Sequence, residues 1–287
     1  MAGQLPLRRP AHSRPPTAQV PPERSGAQKP TKGTTMQHMN NKIAVVTGGG
    51  SGIGLAIAEE LVELGATVVI TGRRQSTLDD ATNRIGPACT GQVADVSSEQ
   101  DMAAVYADVV AKHGRLDIVI ANAGAGYHSV LGAITEKEFD ATFNINAKGV
   151  LFTVQTALPH MSAGGSVVIV GSTASINPPR GMSMYGRAKA AVRDFIRSWI
   201  QDIKGTGIRI NVLSPGAVDT ESLRNALARA QGADQVQVGI ERMGAGSPIG
   251  RIAQTSEIAK AVAFLASDDA SFIHGVELFA DGGLAQV

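Results

Sequence analysis

A β-branched run, Ile43–Thr47, leads directly into Thr47-Gly48-Gly49-Gly50-Ser51-Gly52-Ile53-Gly54, and an apolar-periodic stretch then runs to Leu64-Gly65. This order of strand, glycine turn and helix constrains the fold more than any other feature of the chain. Glycines at a strand end allow a tight turn and a close approach of backbone to a ligand. The helix that follows aims its free N–H groups and the positive end of its dipole at the same point, which suits a pyrophosphate. In this reading Gly48 makes the turn, Gly52 admits the phosphates, and Gly54 lets helix and strand pack closely. The bland alternative is a glycine-rich βα turn with no ligand. No Gly-Lys-Ser/Thr follows, so a nucleoside triphosphate site has no support. There is also no Gly-x-Ser-x-Gly elbow for a hydrolase.

Downstream, the chain keeps alternating. Ala66–Thr71, Leu116–Ala121, Ser166–Gly171, Ile208–Leu213 and Val276–Ala280 read as strands, with Ala88–Val93 a weaker one. Between them, helical periodicity predicts Leu78–Ile85, Glu99–His113, Phe139–His160, Ser183–Lys204 and Ser256–Ser267. Continuously apolar strands joined by long crossovers imply parallel pairing buried on both faces. The expected fold is α/β: a single Rossmann-type, doubly wound parallel sheet of about seven strands with helices on both faces. One domain is expected over residues 41–287.

Residues 1–40 differ in kind. They hold seven of the chain's 13 prolines, and six basic residues against one acidic. Low apolar content of this sort cannot offset ordering entropy, so a disordered extension is expected. A transit peptide, an over-extended start ahead of Met36 or Met39, and a functional basic arm stay open as readings. The whole chain carries a net charge of only +1, which makes no electrostatic case for nucleic acid. No apolar run reaches the roughly 18 residues of a membrane helix. One cysteine, Cys89, excludes an internal disulfide, and the six histidines show no metal-ligand spacing. A cytoplasmic protein without a metal, a nucleic-acid partner or a membrane anchor is expected.

The spacing Thr-Gly-x-x-x-Gly-x-Gly resembles the short-chain dehydrogenase/reductase family, and the likeness continues in motif order across residues 41–287. Asn122-Ala123-Gly124 after the fourth strand resembles the family's Asn-Ala-Gly turn. Asp95 stands where the family's aspartate contacts adenine. Asn146-Ala147-Lys148-Gly149 is similar to its Asn-x-x-Gly segment; Asn144 competes, and the spacing picks Asn146. Ser172, Tyr185 and Lys189 fall on its Ser and Tyr-x-x-x-Lys positions, and Ser172 is preferred over Thr173 and Ser175 by its distance from the tyrosine. Pro215-Gly216 with Thr220 resembles the loop over the nicotinamide, and Asp281-Gly282-Gly283 the common ending. The resemblance implies a catalytic set of Asn146, Ser172, Tyr185 and Lys189. It implies cofactor contacts from Gly48, Ser51, Gly52, Ile53, Gly54, Arg73, Asp95, Asn122, Gly124, Tyr185, Lys189, Pro215, Gly216 and Thr220. In the family the lysine also binds the nicotinamide ribose and the asparagine holds a water in the proton relay, roles that here would fall to Lys189 and Asn146.

Tyr185 and Lys189 are four apart and share one helix face. An ammonium beside a phenol favours the phenolate, so Tyr185 is expected to titrate below its usual range of about 10 and to serve as general acid/base. Ser172 would hydrogen-bond the same carbonyl oxygen. Strand two ends Ile70-Thr71-Gly72-Arg73-Arg74, with glycine where an NAD-binding acid would sit, and Arg73 can form a bidentate pair with a 2′-phosphate. NADP (as NADPH) is therefore expected ahead of NAD. The bland alternative is a pair of solvated arginines.

The expected activity is interconversion of a small-molecule alcohol with its ketone or aldehyde. One rival is a non-catalytic dinucleotide sensor or scaffold, which would need only the glycines and Arg73. Another is an extended-branch epimerase or dehydratase, for which the C-terminal part is short. His128 reads equally as pocket wall or exposed loop; Met182 or Met184 reads as pocket wall, and Trp199 as core or subunit interface. Residues 217–250 show little β pattern and are expected to form a substrate lid. By family resemblance a homotetramer is expected, pairing through the helices at Phe139–His160 and Ser183–Lys204.

Overall fold

The computed structural model describes residues 39–126 and 128–286. Seven parallel strands form one sheet: β1 (Ile43–Thr47), β2 (Thr67–Gly72), β3 (Cys89–Val93), β4 (Leu116–Ala121), β5 (Met161–Val170), β6 (Arg209–Pro215) and, after two short strands, β9 (Glu277–Ala280). The spatial order is β3-β2-β1-β4-β5-β6-β9. This is the doubly wound arrangement expected from the alternation, and its order reverses between β1 and β4. Ligands of such sheets bind beyond the carboxyl ends of the strands at that reversal.

The two faces carry separate apolar layers. One gathers Val46, Ile57, Leu61, Ile70, Leu78 and Val262, with α1 (Gly52–Glu63), α2 (Gln75–Ile85) and α9 (Thr255–Ala266). The other gathers Val45, Tyr106, Val154, Val192 and Ile196 beneath α3 (Glu99–His113), α5 (Gly149–Ala157) and α6 (Ser183–Asp202). The central strands β1, β4 and β6 are buried almost throughout, which explains their continuous apolar sequences. Edge strand β3 buries only Cys89 of its five residues, and so gives a weaker sequence signal.

Two expectations need correction, and a third gains detail. The helix read over Phe139–His160 is four pieces: α4 (Glu136–Phe143), a π-turn at Asn144–Lys148, α5, and a 3-10 turn at Leu158–His160 that contains Pro159. The π-turn adds one residue to the helix without interrupting its apolar face, so periodicity misses it. Residues 217–250 are largely helical, with α7 (Glu221–Gln231) and α8 (Val236–Ala245), and the short strand β7 (Val218–Asp219) pairs with β8 (Ala253–Gln254). Lastly, the boundary at residue 41 leaves out Met39. Its side chain is 1% exposed within the α1 layer, and its N–H donates to Leu64 O over 3.0 Å. The expectation for residues 1–38 lies outside the described residues. Truncating a buried methionine costs about 2–5 kcal/mol, so Met39→Ala is expected to lower stability by that amount in urea unfolding.

Candidate active site

The glycine turn lies at the sheet's reversal, between the ends of β1 and β4. Gly48 has φ +66° and Gly52 φ +56°, conformations that a side chain resists. Gly54 packs so tightly on the Gly48 carbonyl that a Cβ would collide with it. Ser51 precedes α1 but makes no side-chain capping bond, so the first N–H groups of α1 have no partner within their own helix. A Cβ on Gly52 would lie 3.6 Å from the Thr220 methyl, which brings the 215–220 loop to the turn; Ile53 is half-buried at the start of the helix. Free N–H donors at a positive helix end, opposite an open glycine face, fit a dinucleotide pyrophosphate.

Asn122 braces this turn. Its amide nitrogen donates to Thr47 O at 2.9 Å and Gly48 O at 3.3 Å, while the Thr47 hydroxyl accepts from the N–H groups of Asn122 and Ala123 at 3.1 Å each. The amide is thus committed to backbone, and Asn122 acts on a ligand by shaping the cradle. Asp95 accepts from Ser97 N and Oγ through one carboxylate oxygen, at 2.9 and 2.7 Å. Arg73 is exposed just beyond β2. Neighbouring Gly72 would place a Cβ in ordinary contact with Leu78, 3.5 Å away, so sterics do not exclude a side chain there. On the far side, Pro215 ends β6, Gly216 abuts Asp281, and Thr220 caps α7 by accepting from Leu223 N at 3.1 Å.

Ser172, Asn146, Tyr185 and Lys189 come from three places in the chain to one. Ser172 follows β5 and caps a 3-10 turn, its hydroxyl accepting from Ala174 N at 3.1 Å. Tyr185 and Lys189 occupy the first two turns of α6. Asn146 is fully buried in the π-turn, its Nδ2 donating to Ala125 O at 2.6 Å and Thr142 O at 2.8 Å, whereas Asn144 is exposed. The segment after β4 joins them. A Cβ on Gly124 would lie 2.8 Å from Asn146 Oδ1 and 3.4 Å from Lys189 Nζ; one on Gly126 would lie 3.4 Å from the Tyr185 ring and from the Met182 methyl. The Gly126 and Val170 backbone groups escaped sequence reasoning, since neither has a side-chain signature. Met182 is the methionine at the site; His128 lies over Gly181, exposed.

The electrostatics reverse one expectation. Lys189 is buried, donates from Nζ to Val170 O at 2.7 Å, and is pushed by burial from 10.5 down to about 8. Its ammonium lies 5.8 Å from the Tyr185 ring centre. Tyr185 is raised rather than lowered: desolvation pushes it above 10, and a hydrogen bond with Ser172 opposes that in part. Desolvation outweighs the Ser172 bond, and the Lys189 ammonium is directed at the Val170 carbonyl rather than at the phenol oxygen.

The sheet, the cradle and this polar cluster define a dinucleotide-binding oxidoreductase. A family model described as enoyl-(acyl carrier protein) reductase matches residues 48–285. The chain belongs to the short-chain dehydrogenase/reductase family, whose members use NAD(P). It is 42% identical over 256 residues to the oxidoreductase asL5 of Sarocladium schorii, covering 88% of this chain and 100% of that one. It is 36% identical over 252 residues to the 4-formylbenzenesulfonate dehydrogenase TsaC1/TsaC2 of Comamonas testosteroni, covering 86% and 98%. Among solved structures, levodione reductase superposes with a TM-score of 0.83 at 30% identity, covering 87% of this chain and 99% of that one. Among the described residues no helix is long and apolar enough to cross a membrane, and no group of three His, Cys, Asp or Glu could hold a metal.

Proposed function

We propose that this protein is an NADP-dependent oxidoreductase that interconverts a small alcohol and its ketone or aldehyde, with Tyr185 as general acid/base. The observation that carries the reading is the convergence of Tyr185, Lys189 and Asn146 on Gly124–Gly126, beside the carboxyl end of the strand that leads to Ser172. When bound, the nicotinamide supplies or accepts the hydride. The chain's own groups manage the oxygen. Tyr185 Oη donates its proton to the carbonyl oxygen as negative charge develops there. The Ser172 hydroxyl donates a second hydrogen bond to the same oxygen. Burial keeps Tyr185 protonated at neutral pH, the form that carbonyl reduction requires. Lys189 holds positive charge behind the tyrosine and would meet the nicotinamide ribose. Asn146, fixed by Ala125 and Thr142, anchors the polar path behind it.

The cradle of Gly48, Ser51, Gly52, Ile53 and Gly54 would hold the pyrophosphate, Asp95 the adenine, and Pro215, Gly216 and Thr220 the nicotinamide side. Arg73 would hold the 2′-phosphate. Support for the phosphate comes from Gly72, where a Cβ would fit and no acid is present. A helix without any fully buried residue, α7, suits a mobile cover over the substrate. The reading includes a cytoplasmic homotetramer. Its support is the half-buried, stacked Phe195–Trp199 pair on α6 and the 44% exposed Phe139 on α4.

Titration with NADPH and NADH, followed by assay against a panel of ketones, aldehydes and alcohols, tests the reading. A charged contact to phosphate contributes about 1.5–3 kcal/mol, roughly ten- to a hundredfold. Arg73→Ala is expected to raise the NADPH dissociation constant by that factor and to leave the NADH constant almost unchanged. Equal weakening of both, or wild-type preference for NADH, would overturn the assignment of NADP.

A further inference from the structure

One half-buried ion pair lies close to the site. Glu277, on edge strand β9, points to the α6 face of the sheet, in register with Val212 of β6. Its Oε1 accepts from Ser214 Oγ at 2.7 Å, and its Oε2 lies 3.7 Å from Arg193 Nε. Glu277 and Arg193 are half-buried, at 14% and 29% side-chain exposure, and Ser214 is fully buried. Arg193 Nε makes no hydrogen bond. A carboxylate is thus held inside the protein by a hydroxyl and a nearby guanidinium, which is costly unless the pair has a positional use.

The connections of its partners supply that use. The Ser214 hydroxyl presses against Gly171 so closely that a Cβ there would collide with it. Gly171 donates to Leu213 O at 2.7 Å, follows Val170, whose carbonyl receives Lys189, and precedes Ser172. Arg193 stands on α6 one turn beyond Lys189, on the same face. The carboxylate of Glu277 therefore spans the two elements that carry the chemistry: the β5 end with Ser172, through Ser214 and Gly171, and α6 with Tyr185 and Lys189, through Arg193.

We propose that Glu277 is a positioning residue, which sets the spacing between Ser172 and the Tyr185–Lys189 pair by fixing Ser214 against Gly171. The inference rests on the catalytic reading above. Freed of Glu277, Ser214 can rotate away from Gly171, and Ser172 then moves relative to Tyr185. Displacement of a positioned group by about 1 Å can cost as much as 10²-fold in rate, without any change in what binds.

The test is steady-state kinetics on the carbonyl substrate that the panel identifies, with NADPH binding followed by fluorescence. Glu277→Ala is expected to lower kcat about ten- to a hundredfold, with KM and the NADPH dissociation constant each within about twofold of wild type. The alkaline limb of the kcat profile should move to higher pH, because Tyr185 loses the Ser172 bond that pulls it down. Glu277→Gln keeps the acceptor for Ser214 and should restore kcat to within about threefold. Ser214→Ala leaves the Glu277–Arg193 pair in place and should lower kcat in the same direction, so it decides the matter if Glu277→Ala does not fold. Wild-type kcat and pH profile in folded Glu277→Ala or Ser214→Ala, beside an inactive Tyr185→Phe, would overturn the positioning role alone. Activity that survives in Tyr185→Phe would overturn it together with the catalytic reading.

Discussion

Tyr185→Phe is expected to lower turnover by about 10²–10⁴-fold, the usual cost of removing a general acid, while NADPH binds almost as before. The substitution keeps the ring, so its packing beside Gly126 persists. What disappears is one O–H, and with it both the proton for the product alcohol and a donor to the developing oxyanion. The Ser172 hydroxyl then faces that charge alone in a desolvated site, where an unmatched charge is most expensive. Pre-steady-state kinetics would place the loss in the chemical step, with no hydride burst. Near-wild-type turnover by this variant on a verified substrate would end the proposed mechanism.

Much of the fold is legible because each level of the sequence agrees with the next. The helix at Glu99–His113 is readable to the residue: Ser98 caps it by accepting from Asp101 N, and Gly114 ends it in the left-handed region. The candidate site residues Ser172, Tyr185 and Lys189 are legible through the family resemblance of the whole motif series, and the four-residue step on a helix adds only that Tyr185 and Lys189 share a face. Three things stay hidden, each for its own reason. The π-turn at Asn144–Lys148 leaves the apolar face unbroken, so nothing in the periodicity marks the one-residue insertion that buries Asn146. Glu277 is 63 residues from Ser214, and only the parallel pairing of β6 with β9 brings them together. The direction in which the Tyr185 pKa moves depends on desolvation, which outweighs the opposing hydrogen bond from Ser172. Spacing gives the neighbour but neither the depth nor where the ammonium points.

That depth makes Lys189 a second large effect, of opposite sign for stability and activity. Its pKa falls from 10.5 to about 8 on burial. At pH 7 the group is protonated in both the folded and unfolded chain, and the folded state bears the cost of a buried ammonium. A tenfold loss of proton affinity corresponds to about 1.4 kcal/mol, so that cost is about 3 kcal/mol. Between pH 8 and 10.5 the folded state holds Lys189 neutral while the unfolded chain still binds the proton. Stability therefore rises with pH across this window as far as this group governs it. Methionine has a similar unbranched shape, carries no charge, and forfeits only the bond to Val170 O, worth about 1 kcal/mol. In the absence of cofactor, Lys189→Met is expected to be about 1–2 kcal/mol more stable than wild type at pH 7, a gain that shrinks as pH rises towards 10.5. Turnover should fall by at least about 10²-fold, because under the proposed mechanism the tyrosine would lose its cation and the cofactor a ribose contact. A destabilising buried group is then one that the proposed chemistry uses, the trade-off expected where a site is held against the protein's own stability. Denaturant unfolding at pH 7 and pH 10 decides it: a variant less stable than wild type at pH 7, or a stability difference that ignores pH, would mean that the buried lysine carries no strain.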